Sequence, residues 1–291
     1  MRGGQRQVLT LITALKEAGH ESVLLSRRGS PLAQAASAAG FSVFPAGIRE
    51  VWRQSRPVAL VHAHDGRAHT LAAIASKRPF VVSRRVAFPV RRSPVSAWKY
   101  QKAARFLAVS HHVARELEAG GTPKEKIDVV YDGVEAVTPA EEWNRAYPAV
   151  ALASRDPAKG RDLVEQAAQI AGIPVLFSDD LAKDLRRASM FVYITRSEGL
   201  GSAALRAMSM GVPVVASHIG GLTEVFTDNV SGIFVANEPA TIASAMRRIL
   251  DEPSLPQYLI KHGKARIEEC FTREHLLAGT LASYGRALGR G

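Results

Sequence analysis

Glu198 stands immediately before the glycine turn Gly199-Leu200-Gly201-Ser202. A β-branched and aromatic run, Met190-Phe191-Val192-Tyr193-Ile194-Thr195, precedes it, and a helix from about Ser202 to Met210 would lead into a second such run, Val212 to Ala216. Strand, glycine turn, helix and parallel strand present free backbone N–H groups and a positive dipole end, so a phosphate would bind here beside an acid. The plainer alternative, a solvated acid at a helix start, is worth only about 0.3 to 1 kcal/mol. Gly199 to Ala204 also fits G-x-G-x-x-A, the weak form of a dinucleotide fingerprint. That reading needs an acid after the next strand to hold a ribose, and Ser217 and His218 stand there instead. No G-x-x-x-x-G-K-[ST] occurs, which excludes a P-loop nucleotidase.

The elements that must position this turn alternate along the whole chain. Gln5 to Ala18 has helical spacing closed by Gly19, and His20 to Ser26 reads as a strand. Helices at Pro31 to Ala39, Ala68 to Ser76, Ser96 to Ala104 and His111 to Ala119 then alternate with strands at Phe41 to Phe44, Val58 to His64, Phe80 to Ser83, Phe106 to Val109 and Asp128 to Tyr131. Asp132 to Pro148 breaks the pattern, which restarts at Ala149 to Ala153 and continues through a helix at Arg161 to Ala171 and a strand at Pro174 to Phe177. Alternation of this kind predicts an α/β fold of two Rossmann-like, doubly wound parallel-sheet domains facing a cleft, followed by C-terminal helices. The expected boundaries are an N-terminal acceptor-side domain over 1–137, a linker over 138–148 and a donor-binding domain over 149–272. A last helix over 273–291 is expected to pack back on the N-terminal domain.

Composition narrows the partners. With 291 residues, 46% of them hydrophobic, the chain can bury a substantial core. No apolar run approaches the roughly 18 residues that span a bilayer, and Val8 to Leu15 is broken by Lys16 without a cleavage pattern, so a cytoplasmic protein is expected. The single Cys270 excludes an intrachain disulfide and a cysteine-only metal cluster. A net charge of +11 invites an acidic partner. Seven basic residues and no acid fall between Arg84 and Arg105, interleaved with Phe88, Trp98 and Tyr100. Arg84, Arg91, Arg92, Trp98 and Lys99 therefore read either as a solvated face or as a site for an anionic acceptor or the inner membrane surface. Nucleic acid is the weaker reading, because no recognised nucleic-acid fold accompanies the charge. His62 and His64 alternate along one strand and share a face, but no third metal ligand is evident. They read as core or site-lining histidines, with Asp65 the nearby base.

These residues also carry a resemblance. Gly3-Gly4 before the first helix, Gly19-His20-Glu21, Val61-His62-Ala63-His64, Ala108-Val109-Ser110 and Ile127 to Val134 are similar to the N-terminal half of GT-B glycosyltransferases of the large retaining group called family 4. Glu198-Gly199-Leu200-Gly201, Ala207-Met208, Gly211 to Ala216 and Gly220-Gly221-Leu222-Thr223-Glu224 resemble that family's most specific block. The resemblance implies a sugar transferase that uses a nucleotide-diphosphate sugar as co-substrate, with no metal and no other cofactor. It implies that Glu198 contacts donor hydroxyls and that Lys159 and the N–H groups from Gly199 to Ser202 hold the diphosphate. Ser197 and Glu224 complete the donor side, and Gly3 and Gly4 let backbone approach the sugar phosphate. The implied acceptor is a cell-envelope glycan or lipid-linked sugar, as in lipopolysaccharide.

Several positions depart from the family pattern. The second motif glutamate falls eight residues after Glu198, where Arg206 stands, and an arginine cannot accept from ribose hydroxyls. Ser154 takes the place of the family's phosphate arginine, for which Arg155 could substitute. Arg85 aligns with the family's N-domain histidine and keeps a cation there without a proton shuttle, while His64 could face the acceptor. A strand before Gly3 is expected upstream, or the sheet has rearranged. A strand and helix near the nucleotide base are left out after Ala171. A second reading follows from Arg206 and these gaps: a GT-B-like protein without catalysis that binds a phosphorylated glycan or lipid.

Overall fold

The N-terminal helix, α1 (Gly3–Glu17), carries two apolar stripes, each of residues four apart. Val8 and Ile12 pack with Leu24, Leu32, Ala36 and Phe41, while Leu11 and Leu15 pack with Val81, Leu107, Val130 and Leu276. The two stripes explain why the strands around it divide. In the computed structural model, which describes residues 1, 3–90, 93–135 and 138–290, β1 (Val23–Ser26) and β2 (Ser42–Pro45) form one parallel pair. β3 (Val61–Ala63), β4 (Phe80–Arg84), β5 (Arg105–Ala108) and β6 (Ile127–Val129) form a second, four-stranded parallel sheet in that order. Between them run α2 (Pro31–Ala38), α3 (Ile48–Gln54), α4 (Gly66–Ala75), α5 (Pro94–Lys102) and α6 (His111–Ala119). Of these, α3 has no counterpart in the sequence reading, and β3 is shorter than the strand expected over Val58 to His64. His64 therefore lies just past the strand end.

These elements and α12 (Arg273–Ala287) make one unit, Met1–Gly133 with Arg273–Gly291. α12 is tied to β6 by charge. Asp128 accepts from Arg105 Nε at 2.5 Å, Ser283 Oγ at 2.7 Å and Arg286 Nη2 at 2.8 Å. Burial alone would raise the Asp128 pKa; hydrogen bonds from Arg105 and Ser283 and the charges of Arg105 and Arg286 outweigh it and hold the carboxyl below its usual range. A depressed carboxyl contributes stability above its unfolded pKa and loses it as pH falls through the folded value. Asp128→Asn is thus expected to cost about 3 kcal/mol at pH 7, and less as the wild type is taken below pH ~4. Urea unfolding at the two pH values checks this; an equal cost at both would count against it.

The second unit is Val134–Thr272. It contains β7 (Ala149–Leu152), α7 (Arg161–Ala171), β8 (Val175–Ser178), α8 (Leu181–Asp184), β9 (Met190–Tyr193), α9 (Ser202–Met210), β10 (Val214–Ser217), β11 (Ile233–Val235), α10 (Pro239–Asp251) and α11 (Leu255–Cys270). The sheet is wholly parallel in the order β11-β10-β9-β7-β8. Every residue of β9 and β10 is buried, as strands covered on both faces require. Succession runs from β7 outward to β8, then returns to β9 on the other side. The carboxyl ends of β7 and β9 therefore flank the topological switch point, the standard ligand position in such sheets. The segment after residue 137 is attached to this unit: Ala140 N donates to Met210 O, and Trp143 Nε1 donates to Ser189 O at 2.7 Å. Among the described residues no helix is long and apolar enough to cross a membrane.

Candidate active site

Beyond β9 the backbone is held by three buried or part-buried polar side chains. Thr195 N donates to Ser217 Oγ at 2.9 Å, Asn237 Nδ2 donates to Thr195 O at 3.0 Å, and Ser217 Oγ donates to Asn237 Oδ1. Thr195 Oγ1 reaches Ala158 O at 3.0 Å, which draws the turn after β7 against the end of β9. Gly160 permits that approach. It has φ +58°, and a Cβ there would lie 2.6 Å from Ile194 Cγ2.

This contact delivers Lys159 to Glu198 across the switch point. Lys159 Nζ lies 2.9 Å from Glu198 Oε2, with side chains 28% and 17% exposed. Tyr193, the last residue of β9, donates its hydroxyl in a short hydrogen bond to the same oxygen, and Gly199 N donates to Oε1 at 3.1 Å. The Tyr193 phenol is pushed well above its ordinary pKa by burial first, then by the Glu198 charge and hydrogen bond, so it stays a donor at neutral pH. The sequence reading did not single out Tyr193; its position five residues before Glu198 at a strand end was the available signal.

The helix that follows, α9, starts at Gly201 with no side-chain cap, so its leading N–H groups are not taken by a cap. Leu200 has its side chain in the core and can offer only backbone to a ligand. Ser197 and Ser202 are half-buried on either side of the turn, and Arg206 is half-buried one helical turn beyond Ser202. Glu224 closes the 3-10 turn Gly220–Glu224, which the N–H of Gly221 fastens to Glu198 O at 3.1 Å. Arg155 is exposed after β7, and the described contacts do not bring it to Glu198.

The first unit gathers its polar residues at the carboxyl ends of β3 and β4. The rings of His62 and His64 lie 3.9 Å apart, on one face as their spacing requires. His62 pairs through Nδ1 with the Tyr284 hydroxyl at 2.7 Å and through Nε2 with Ser83 Oγ at 2.8 Å. Arg85 Nη1 donates to His64 Nδ1 at 3.3 Å, and Arg85 Nε meets Asp132 at 2.8 Å. Gly3 and Gly4 open helix α1 rather than a loop before it, and a Cβ on Gly4 would lie 4.0 Å from Arg85 Cδ. Asp132 and Tyr284 were not foreseen, and the Arg85 charge is matched by Asp132 rather than left to a ligand alone. Asp65, expected as a nearby base, instead caps α4 by accepting from Ala68 N at 2.7 Å. Among the described residues no group of three or more His, Cys, Asp or Glu side chains is placed to hold a metal ion.

Burial, then the Arg85 charge, lowers the His62 pKa to about 3; burial, His62 and Arg85 hold His64 well below its ordinary value. Both rings are therefore neutral at working pH. The His62 ring proton shifts in NMR are expected to stay flat from pH 8 to pH ~5, and a midpoint near the ordinary value of 6.5 would contradict the buried network. Since the unfolded ring protonates near 6.5, the network costs stability progressively as pH falls below that value.

Of the expected acceptor or membrane residues, Trp98 and Lys99 lie on α5 and Arg84 beside it. Arg84 turns inward, donating to the Tyr100 hydroxyl at 3.1 Å and to Phe88 O. Trp98 is 39% exposed on α5, and Lys99 Nζ lies 3.5 Å from Thr70 Oγ1. Arg91 and Arg92 lie outside the described residues.

Residues 1–137 match the family model for glycosyltransferase family 4, and residues 158–266 match that for glycosyl transferases group 1. A D-inositol 3-phosphate glycosyltransferase of Salinispora arenicola is 34% identical over 118 residues, 40% of this chain and 26% of that protein, so only about a quarter of the curated relative is matched. The fold is that of HepE from Anabaena, solved with UDP-glucose, at a TM-score of 0.82 and 15% identity over 97% of this chain and 96% of the other. A glycosyltransferase from Rickettsia africae superposes at a TM-score of 0.79 with 16% identity, over 99% and 95% of the two chains.

Proposed function

Because the chain belongs to the GT-B glycosyltransferases, matching the family 4 model in one half and the group 1 model in the other, we propose that it is a retaining glycosyltransferase. It would move a sugar from a nucleotide-diphosphate sugar to a cell-envelope acceptor, a lipopolysaccharide, polysaccharide or lipid-linked glycan. The observation that carries the donor half is the meeting of Lys159, Glu198 and the uncapped start of α9 at the switch point of the second unit. Departure of a diphosphate develops negative charge, and a cation with aligned backbone N–H groups stabilises it without reorganisation. Glu198, steadied by Tyr193 and Gly199, would accept from the donor sugar's hydroxyls. Gly3, Gly4, His64 and Arg85 would serve the sugar and acceptor from the first unit. Calorimetry and product assays across UDP-, GDP- and ADP-sugars test the reading; neither binding nor turnover with any of them would end it.

Arg206 favours a second reading, a GT-B-like protein that binds a phosphorylated glycan or lipid without catalysis. A half-buried guanidinium on α9 cannot accept from ribose hydroxyls and suits an additional phosphate. Arg206→Glu is expected to raise nucleotide affinity about tenfold, the gain of one hydrogen bond to a charged acceptor. Higher affinity with turnover supports the transferase; higher affinity with none supports the binding protein.

A further inference from the structure

His64 and Arg85 follow the carboxyl ends of the neighbouring strands β3 and β4, and one hydrogen bond joins them, from Arg85 Nη1 to His64 Nδ1 at 3.3 Å. A guanidinium can only donate, so Nδ1 must present its lone pair. An imidazolium, or the tautomer protonated at Nδ1, would set one N–H against another. The His64 ring is therefore neutral and carries its proton on Nε2. His62 makes the contrast. Its two nitrogens meet the hydroxyls of Tyr284 and Ser83, each of which can donate or accept, so its surroundings admit either tautomer.

Arg85 is itself braced. Its Nε lies 2.8 Å from the carboxylate of Asp132, which is buried. The next residue, Gly133, is fastened to α1 by Gln7, whose side chain donates to Gly133 O at 2.8 Å and accepts from Gly133 N at 3.2 Å. From its face the His64 ring is held by the His62 ring at 3.9 Å. Burial first, then His62 and Arg85, keeps the His64 pKa well below its ordinary value, in line with an uncharged ring. With ring and tautomer both fixed, one polar group of His64 is not engaged: Nε2–H has no hydrogen-bond partner among the described residues. It belongs to a half-buried ring at the carboxyl end of a parallel strand, where ligands bind in such sheets.

We propose that His64 meets its ligand as a hydrogen-bond donor through Nε2, to an oxygen of the bound sugar or acceptor, and not as a base, with Arg85 and Asp132 as the residues that position it. The inference rests on the proposed function for the identity of the ligand, while the tautomer stands without it. The test combines long-range proton–nitrogen NMR spectra of the full chain with isotope-labelled histidine, assigned by His64→Gln, with kcat and KM for that variant and for His64→Ala. In the wild type the unprotonated nitrogen of His64 is expected to be Nδ1 throughout the range from about pH 8 to about pH 5. Glutamine places an amide N–H near the Nε2 position and cannot act as a base. His64→Gln should therefore keep kcat/KM within about threefold of wild type, while His64→Ala loses about tenfold, the worth of one neutral hydrogen bond. A proton on Nδ1, or a His64→Gln protein as impaired as His64→Ala with its circular dichroism unchanged, would overturn the proposal. An Nε2–H tautomer in a wild type that turns over no UDP-, GDP- or ADP-sugar would support the proton assignment and count against the transferase reading.

Discussion

Replacing Lys159 by alanine is expected to lower turnover of a nucleotide-sugar donor by about 10² to 10³-fold, the loss seen when one preorganised group facing developing charge is removed. The expectation rests on where Lys159 sits. Its ammonium reaches Glu198 Oε2 at 2.9 Å from a turn that Gly160 allows to lie against Ile194, so it is held beside the start of α9. In the donor complex the same cation would offer itself to the diphosphate. The fold should hardly suffer, because the pair is partly exposed and Glu198 keeps the hydrogen bonds from Tyr193 and Gly199. Lys159→Arg should recover part of the rate. Donor titrations with kcat and KM measured separately decide the matter: a fall in melting temperature with unchanged turnover per folded molecule would make Lys159 a structural residue only.

Gly221→Ala is expected to cost about 3 kcal/mol or more, and with it about 10 °C in melting temperature. A Cβ at this position would lie 1.8 Å from Gly199 O, 2.5 Å from Gly199 C and 3.0 Å from Leu200 Cα. All three are backbone atoms that cannot rotate away, so the glycine turn must move. The same displacement would break the Gly221 N–H bond to Glu198 O and misplace the Glu198 carboxylate. Nucleotide affinity should therefore fall with stability. Gly66→Ala is the control: nothing lies within 4 Å of its Cβ, and its effect should stay within about 0.5 kcal/mol. Thermal melts of both variants, with and without UDP, check the contrast; a Gly221→Ala protein as stable as wild type would show that the two turns do not press on each other.

Much of the second unit was legible in the chain. The bounds of α7 and α9 coincide with the expected ones, because apolar residues at helical spacing end there at Gly172 and Gly211. Glu198 was legible from its place before the glycine turn and Lys159 through the resemblance, and both turns are local motifs. Tyr193, Asp132 and Tyr284 were not. His62 finds Tyr284 across 222 residues, and no spacing rule announces a partner at that distance. Asp65 carries two local signals at once. Its place beside His64 suggested a base, while its place three residues before Ala68 N made it a cap.

The sequence by itself determined the alternation of strands and helices, the parallel sheets that follow from it, and the turn at Glu198, because each depends on residues near one another in the chain. It also determined the family. Tertiary structure alone decided that α1 stands between two sheets, since both its stripes had to find separate cores. It alone decided that Arg84 and Arg85 turn inward to Tyr100, His64 and Asp132. Charge along a chain shows how many cations there are, whereas burial and partners determine which of them a ligand can meet.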